Sequence, residues 1–114
     1  MHEEISSTII VEPTTQLRGT LQVPGDKSIS HRYALLATLA DGTTTIHNYS
    51  MGADCLSTLS CLQALGVSVK SIPNSKTTGM TVSITGQGLG TLTPSQYPID
   101  TGNSGTTMRL LAGI

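Results

Sequence analysis

The sequence predicts an α/β fold with the element order βαβαββ. Stretches rich in β-branched residues alternate with two stretches of helical period, and glycine or proline marks most of the changes. The 114 residues suit one small domain, and the 37% that are hydrophobic are enough for an aliphatic core. Only 11% are charged and the net charge is -1, which excludes the broad cationic surface of a general nucleic-acid or membrane binder.

The first three predicted elements are two short strands and a helix. Residues 8–11 and 17–23 are β-rich, and Pro24-Gly25 ends the second stretch. From residue 28 to 40 the period becomes helical. Its apolar stripe, of the kind that packs on a core, consists of Ile29, Tyr33, Leu36 and Ala40, with Leu35 and Leu39 beside it.

The unit is predicted to continue with a strand, a helix and a pair of strands. Residues 43–49 are rich in threonine and predict a strand, and residues 54–65 predict a helix that Gly66 ends. Cys55, Leu59 and Leu62 form the apolar line of that helix. Residues 67–72 and 80–85 are expected to pair across a turn at 73–76. This order would place two right-handed crossovers beside one sheet, with the helices on one face.

A new pattern begins after a loop at residues 86–98 that is rich in Gly, Thr and Pro. Ile99-Asp100 suggests a short strand, and a third helix is expected from Ser104 onward. Because this helical pattern reaches Ile114 with no sheet to cover it, we expect the natural chain to continue. The alternative is that Gly113 is a C-cap and Ile114 is its hydrophobic partner.

The first candidate site is GDKSISHR at residues 25–32, where a strand is expected to give way to a helix. The first N–H groups of a helix lack intrahelical partners and attract anions. Ser28, His31 and Arg32 are spaced to share one helix face, and Lys27 lies at the N-terminal end of that face. Arg can hold an anion bidentately while Lys supplies a movable charge, which suits two anionic groups. The alternative is a helix that Ser28 caps, with Lys27 and Arg32 as solvated surface charges.

The second candidate site is TGNSGTTMR at residues 101–109, again ahead of an apolar helical run. Glycine permits close backbone approach, so an anion would lie against the N–H groups of Gly105 and Thr106. The alternative is an ordinary helix start with Asn103 or Ser104 as the N-cap. Arg109 lies one turn further along and is equally compatible with internal pairing and with ligand contact.

The remaining reactive residues are predicted to be structural. His2 and His47 have no partners at metal-ligand spacing, so we expect no metal site. Cys55 and Cys61 lie on one predicted helix and point about 240° apart, which predicts reduced thiols. No Gly-x-Ser-x-Gly occurs, which excludes that hydrolase route. The N-terminus lacks an export pattern and no membrane-length apolar run is present, so a cytoplasmic protein is expected.

Two long motifs then point to a family. PGDKSISHR at residues 24–32 and GNSGTTMRLL at residues 102–111 resemble, in this order, the start of the EPSP synthase (3-phosphoshikimate 1-carboxyvinyltransferase) family. That resemblance covers nearly the whole chain and implies a two-lobed inverted α/β barrel, the enolpyruvyl transferase fold, with three βαβαββ units in each lobe. A truncated piece is therefore expected. Residues 1–23 would be hinge strands towards the absent lobe, and residues 24–114 the first unit and the start of the second.

The resemblance also implies an activity and a set of ligand contacts. Family members transfer the enolpyruvyl group of phosphoenolpyruvate to the 5-hydroxyl of shikimate 3-phosphate, through a tetrahedral adduct and without metal or cofactor. This step belongs to the shikimate pathway of aromatic amino-acid biosynthesis. By motif position, Lys27, Ser28 and Arg32 would bind shikimate 3-phosphate. Lys27 and Gly105 would bind phosphoenolpyruvate, and Asn103 would shape the turn.

Departures from the family pattern leave several questions open. Leu110 stands where many members have Pro and Ser104 where many have Ala, which puts sensitivity to glyphosate in doubt although Gly105 is retained. The catalytic acid and base lie further along in the family, so the 114-residue chain alone is expected to be inert. Its unpaired apolar edges also predict self-association.

Two other functions remain possible on the sequence alone. One is a stand-alone, non-catalytic module that binds phosphate esters through Lys27, Ser28 and Arg32. The other is a sister carboxyvinyltransferase that acts on a nucleotide sugar, which the residues 28–32 disfavour.

Overall fold

The computed structural model describes residues 7–74 and 79–114, so His2 and part of the predicted turn at 73–76 lie outside the described residues. An α/β fold is confirmed, and the five predicted elements between residues 28 and 85 are present with their ends shifted by at most two positions. In chain order the elements are α1 (Lys27–Leu39), β1 (Asp41–Tyr49), α2 (Ala53–Ala64), β2 (Ser68–Pro73), β3 (Met80–Gln87) and α3 (Gly105–Leu111).

The three strands form an antiparallel sheet in the order β1-β3-β2. β3 is the central strand, and its side chains alternate between the core and the other face. It pairs with β1 from Gln87 opposite Asp41, and with β2 from Thr85 opposite Ser68. The predicted pair of strands after α2 is therefore confirmed, and a strand from earlier in the chain completes the sheet.

The predicted opening strands at residues 8–11 and 17–23 are not formed in this structure. Residues 7–26 contain no helix or strand, and Leu17 and Leu21 are 91% and 80% exposed. A strand needs a neighbour to accept its hydrogen bonds, and in the described part of the chain β1 pairs only with β3. The predicted βαβαββ order is thus observed without its first strand, and Ile99-Asp100 also lacks strand structure.

The core lies between one face of the sheet and the helices α1 and α2. The apolar line Cys55, Leu59 and Leu62 predicted for α2 is buried, which confirms that prediction. Both cysteines are free and buried, as expected, and burial raises the pKa of each thiol. The core cluster consists of Ala34, Leu35, Ala37, Ile46, Tyr49, Cys55, Leu59, Leu62, Met80, Val82 and Ile84.

The predicted core stripe of α1 is wrong. Ile29, Tyr33 and Leu36 are 52%, 55% and 62% exposed, while a neighbouring face of the helix that includes Ala34, Leu35 and Ala37 packs inward. Small side chains let this face approach the sheet closely. At Gly86 on β3, an added Cβ would overlap the carbonyl oxygens of Ala37 and Ala40, so α1 lies directly against the strand backbone.

The end of α3 differs from the alternative in which Gly113 is the C-cap and Ile114 its hydrophobic partner. Ala112 is the C-cap, in right-handed helical conformation, and Gly113 does not adopt a positive φ. The Gly113 N–H donates to the Leu110 carbonyl at 3.1 Å, and the Ile114 N–H donates to the Leu111 carbonyl at 3.3 Å. The helix therefore ends in a tighter turn and not in a left-handed glycine cap. No helix in the described residues is long and apolar enough to cross a membrane.

Candidate functional site: the first turns of two helices

Asp26 caps the start of α1, where the first candidate motif lies. Its Oδ1 accepts a hydrogen bond from the Ile29 N–H at 2.8 Å, so the alternative of Ser28 as the cap is wrong. A carboxylate of the chain thus takes one N–H that a bound anion would use. An Asp directly before a helical run is an N-cap signal, and the sequence reasoning missed it here.

Lys27 forms an ion pair with Asp54 on α2, with Nζ 2.5 Å from Oδ2. Hydrogen bonding and the charge of Asp54 raise the pKa of Lys27, so the ammonium stays charged throughout the neutral range. Asp54 also lies in the first turn of α2, where a carboxylate interacts favourably with the helix dipole. The pair links the first motif to α2, and nothing in the sequence pattern indicated it.

Ser28 and Arg32 lie on the exposed side of the first two turns of α1. The Arg32 guanidinium donates from Nη1 to the Ser28 carbonyl at 3.0 Å, one helical turn back along α1. Both residues are exposed, and the Lys27 side chain retains 59% of its accessible surface. Two cations and a hydroxyl are therefore available to a ligand at this end of the helix.

His31 does not share that exposed face, contrary to the prediction from spacing. The side chain is fully buried, and its Nδ1 lies 2.6 Å from Oγ1 of Thr58 on α2. Residues three apart differ by about 60° around a helix, enough for packing to turn one inward while the other stays in solvent. Burial lowers the pKa of His31, and the positive charges of Lys27 and Arg32 lower it further against the opposing effect of Asp54.

The second motif forms a turn followed by the capped start of α3. Gly102 has φ +60°, which favours glycine, and its N–H donates to Oδ1 of Asp100 at 2.7 Å. The Ser104 N–H closes the turn on the Thr101 carbonyl at 3.2 Å, with Asn103 exposed inside it. The Ser104 hydroxyl then accepts from the Thr107 N–H at 3.1 Å. Of the two possible caps, Ser104 is thus the one observed.

Gly105 and Arg109 both lie at the surface of α3. An added Cβ at Gly105 would meet no atom within 4 Å, so the backbone is open to close approach. Arg109 is exposed in the last turn of α3, a favourable position for a cation in the helix dipole.

The two motifs meet through α2. Thr58 Oγ1 lies 2.6 Å from His31 Nδ1 and 2.7 Å from Thr107 Oγ1. One residue therefore separates a side chain of the first motif from a side chain of the second. The sequence predicted both helix starts, and the contact that joins them depends on a threonine outside both motifs.

An open groove elsewhere on the described part of the chain does not suit a polyanion. It has a volume of about 440 Å³ beside α2 and α3, and its mainly apolar lining includes Leu65, Ile99, Met108 and Leu111. In the described residues no three His, Cys, Asp or Glu side chains come together as a metal site would require. The polar groups at the helix starts are the better candidates for binding charged ligands.

Comparison with known proteins connects this arrangement to one family. Residues 11–114 match the family model for EPSP synthase (3-phosphoshikimate 1-carboxyvinyltransferase). A 3-phosphoshikimate 1-carboxyvinyltransferase from Lactiplantibacillus plantarum is 49% identical over 104 residues, which cover 91% of this chain and 23% of that protein. One from Desulforamulus reducens is 48% identical over 106 residues, which cover 93% and 24%.

A solved structure shows the same fold. EPSP synthase from Acinetobacter baumannii superposes with a TM-score of 0.73 at 41% identity, over 83% of this chain and 20% of that one. The chain thus spans about a quarter of the length of the curated relatives it matches.

Proposed function

The chain belongs to the EPSP synthase family, and on that premise we propose that it forms the N-terminal part of one lobe of a 3-phosphoshikimate 1-carboxyvinyltransferase. The complete enzyme would transfer the enolpyruvyl group of phosphoenolpyruvate to the 5-hydroxyl of shikimate 3-phosphate. The observation that supports this proposal is the family match over residues 11–114, which includes both motifs and the helix starts that they form.

Lys27, Ser28 and Arg32 are the proposed contacts for shikimate 3-phosphate. They are exposed together on the first two turns of α1, and each of the two cations has a partner within the chain. A phosphate ester carries two negative charges near neutral pH, and guanidinium and ammonium groups are its natural partners.

Lys27 and Gly105 are the proposed contacts for phosphoenolpyruvate, with Asn103 shaping the turn before Gly105. Lys27 would turn from Asp54 towards the ligand or be shared between them. Exposed ion pairs contribute little to stability, so a polyanion can compete for this ammonium. At Gly105 the missing side chain leaves room for a phosphate against the backbone.

The chemical contribution of this segment is charge neutralisation. Cations held beside both phosphorylated substrates in a closed, water-poor cleft would stabilise the developing adduct more than the separated reactants. The groups that move protons would come from the rest of the enzyme, together with the opposite wall of the cleft. The 114-residue chain by itself is therefore expected to be inert.

A chimaera provides the direct test. Residues 11–114 would replace the matching segment of the Lactiplantibacillus plantarum relative, and phosphate release would be measured with both substrates present. We expect turnover within about tenfold of the Lactiplantibacillus plantarum enzyme. A segment that keeps its packing should keep its ligand contacts in place, whereas misplacement by an ångström can cost about a hundredfold in rate. A folded chimaera without turnover would contradict the proposed function, and turnover by the isolated chain would contradict its inertness.

A further inference from the structure

Four buried polar side chains form a continuous series of hydrogen bonds between the three helices. We call His31, Thr58, Thr107 and Ser104 the polar chain. Each is at most 2% exposed. The steps measure 2.6 Å from His31 Nδ1 to Thr58 Oγ1, 2.7 Å from there to Thr107 Oγ1, and 2.7 Å from there to Ser104 Oγ. The polar chain thus begins in the first motif and ends at the N-cap of α3.

The direction of the hydrogen bond between His31 and Thr58 follows from the other ring nitrogen of His31. Its Nε2 is buried and has no partner among the described residues. A proton on Nε2 would leave a buried donor unsatisfied, whereas a proton on Nδ1 leaves only a lone pair there, and unpaired buried N–H groups are the rarer case. With Nδ1 protonated, His31 donates to Thr58. The Thr58 hydroxyl proton has two acceptors within reach, Thr107 Oγ1 at 2.7 Å and the Asp54 carbonyl at 3.5 Å, so the two hydroxyl–hydroxyl steps are compatible with either direction.

Thr58 is the member of the polar chain that lies outside both motifs. It joins His31, one turn into α1 from Lys27, to Thr107, two residues after Gly105. Valine has the same shape but can neither accept nor donate, so it would break both links at once. A shift of α3 against α1 would then change the spacing between the proposed ligand contacts on the two helices.

We propose that Thr58 is a positioning residue that accepts from His31 and shares a hydrogen bond with Thr107, and thereby sets the distance between the two proposed ligand-binding helix starts. Its effect on catalysis rests on the proposed function, since it acts through Lys27, Arg32 and Gly105. Thr58 itself is buried and is not expected to touch either substrate.

Three variants of the chimaera test the positioning role. Thr58→Val should lower kcat/KM for both substrates at least about tenfold, because misplacement by an ångström can cost more than that. Thr58→Ser keeps the hydroxyl, so its kcat/KM should stay within about threefold of that of the unsubstituted chimaera. Thr38→Val is the matched control, because this buried threonine on α1 bonds only to Ala34 of its own helix.

Two outcomes of these assays would overturn the proposal. One is a folded Thr58→Val variant as active as Thr38→Val. The other is a Thr58→Ser variant as impaired as Thr58→Val, since the serine hydroxyl restores both links.

A spectroscopic measurement decides the hydrogen-bond direction without any need for activity. In the chimaera labelled with ¹⁵N-histidine, the His31 resonances are assigned by their loss in His31→Gln. At pH 7.5 we expect His31 to be protonated on Nδ1 and unprotonated on Nε2. In Thr58→Val we expect the ratio of the Nδ1–H to the Nε2–H tautomer to change. A proton on Nε2 would overturn the proposal even if Thr58→Val failed to fold. An inactive parent chimaera with the Nδ1–H tautomer would instead refute the proposed function and leave the polar chain supported.

Discussion

Lys27 and His31 lie one turn apart on α1, yet their surroundings shift their pKa values in opposite directions. Lys27 is exposed beside a carboxylate, which raises its pKa, whereas His31 is buried and near two cations, which lowers its pKa. One residue is therefore a stable surface cation and the other a neutral core imidazole. This difference separates the proposed ligand-binding role of Lys27 from the packing role of His31 within a single motif.

Removal of the Lys27 ammonium is expected to damage activity while leaving the fold intact. In the chimaera, Lys27→Ala should lower kcat/KM at least about a hundredfold, because one preorganised charge at a reacting group is commonly worth that much. The control is Lys70→Ala, at an exposed position on β2. Both variants would be assayed by phosphate release and checked by circular dichroism. Equal activity of the two would contradict the proposed contacts of Lys27.

The lowered pKa of His31 predicts a stability that depends on pH. Below about pH 6.5, the ordinary pKa of histidine, the unfolded chain binds a proton that the folded chain resists. The contribution of His31 to the free energy of unfolding is therefore fully present above that pH. It is lost as the pH drops towards the lower pKa of His31 in the folded state. The charged groups that act on His31 are Lys27, Arg32 and Asp54.

Urea unfolding at pH 7.5 and 5.5 measures this dependence. Between pH 7.5 and pH 5.5, the urea concentration at the unfolding midpoint should fall more in the unsubstituted chain than in His31→Gln. Glutamine retains a polar partner for Thr58 but does not titrate. His47→Gln, at an exposed position on β1, is the control. An equal loss in the parent and in His31→Gln would show that another group is responsible.

Close backbone contact between α1 and β3 is the main packing feature at the level of elements. Gly86 lies beneath the carbonyl oxygens at the end of α1, and the Gly88 N–H donates to the Ala40 carbonyl at 3.0 Å. Because the first two turns of α1 hold the proposed contacts for shikimate 3-phosphate, the packing of this helix on the sheet also sets their position.

A single methyl group at Gly86 should disturb the close packing of α1 on β3. Gly86→Ala is expected to lower the free energy of unfolding by about 1–3 kcal/mol, the usual cost of overpacking a rigid site. Gly113→Ala is the control, since Gly113 has no positive φ and its Cβ would make only an ordinary contact with the Leu110 carbonyl oxygen. Denaturant unfolding of both variants makes the comparison. If Gly86→Ala were no less stable than Gly113→Ala, α1 would not pack as closely on β3 as the structure indicates.

The whole molecule extends well beyond its packed core. Its radius of gyration is 18.3 Å, whereas a compact domain of this length would have about 13 Å. Residues 7–26 contribute to this extension, with large side chains exposed along them, namely Ile9, Ile10, Val11, Leu17, Leu21 and Val23. An extended apolar segment of this kind pairs readily with another chain or with the remainder of a larger protein.

Self-association of the 114-residue chain is therefore expected at high concentration. Sedimentation velocity should show a sedimentation coefficient that rises with concentration. Replacement of Leu17, Leu21 and Val23 by serine should reduce the rise, whereas serine at Thr20 and Gln22 should not. A monomer at all concentrations, or equal association of both variants, would contradict this role of the apolar segment.

Local patterns in the sequence were sufficient for the helices, the strands and both motifs. Helical spacing located α1 and α2, β-branched runs located the three strands, and the small polar run before Met108 located α3. These features depend on neighbours in the chain, through backbone hydrogen bonds and side-chain spacing, so a sequence contains them directly. The family resemblance rested on the same local motifs and was confirmed.

Only the tertiary structure decided which face of α1 is buried and which polar groups meet. The exposed stripe of α1, the burial of His31 and the partnership of Lys27 with Asp54 each depend on where another element packs. The two missing opening strands have the same cause, because a strand forms only where a neighbour accepts its hydrogen bonds. Such contacts join residues far apart in the chain, and the free energy of burial that selects among them depends on the partner surface as well as on the local pattern.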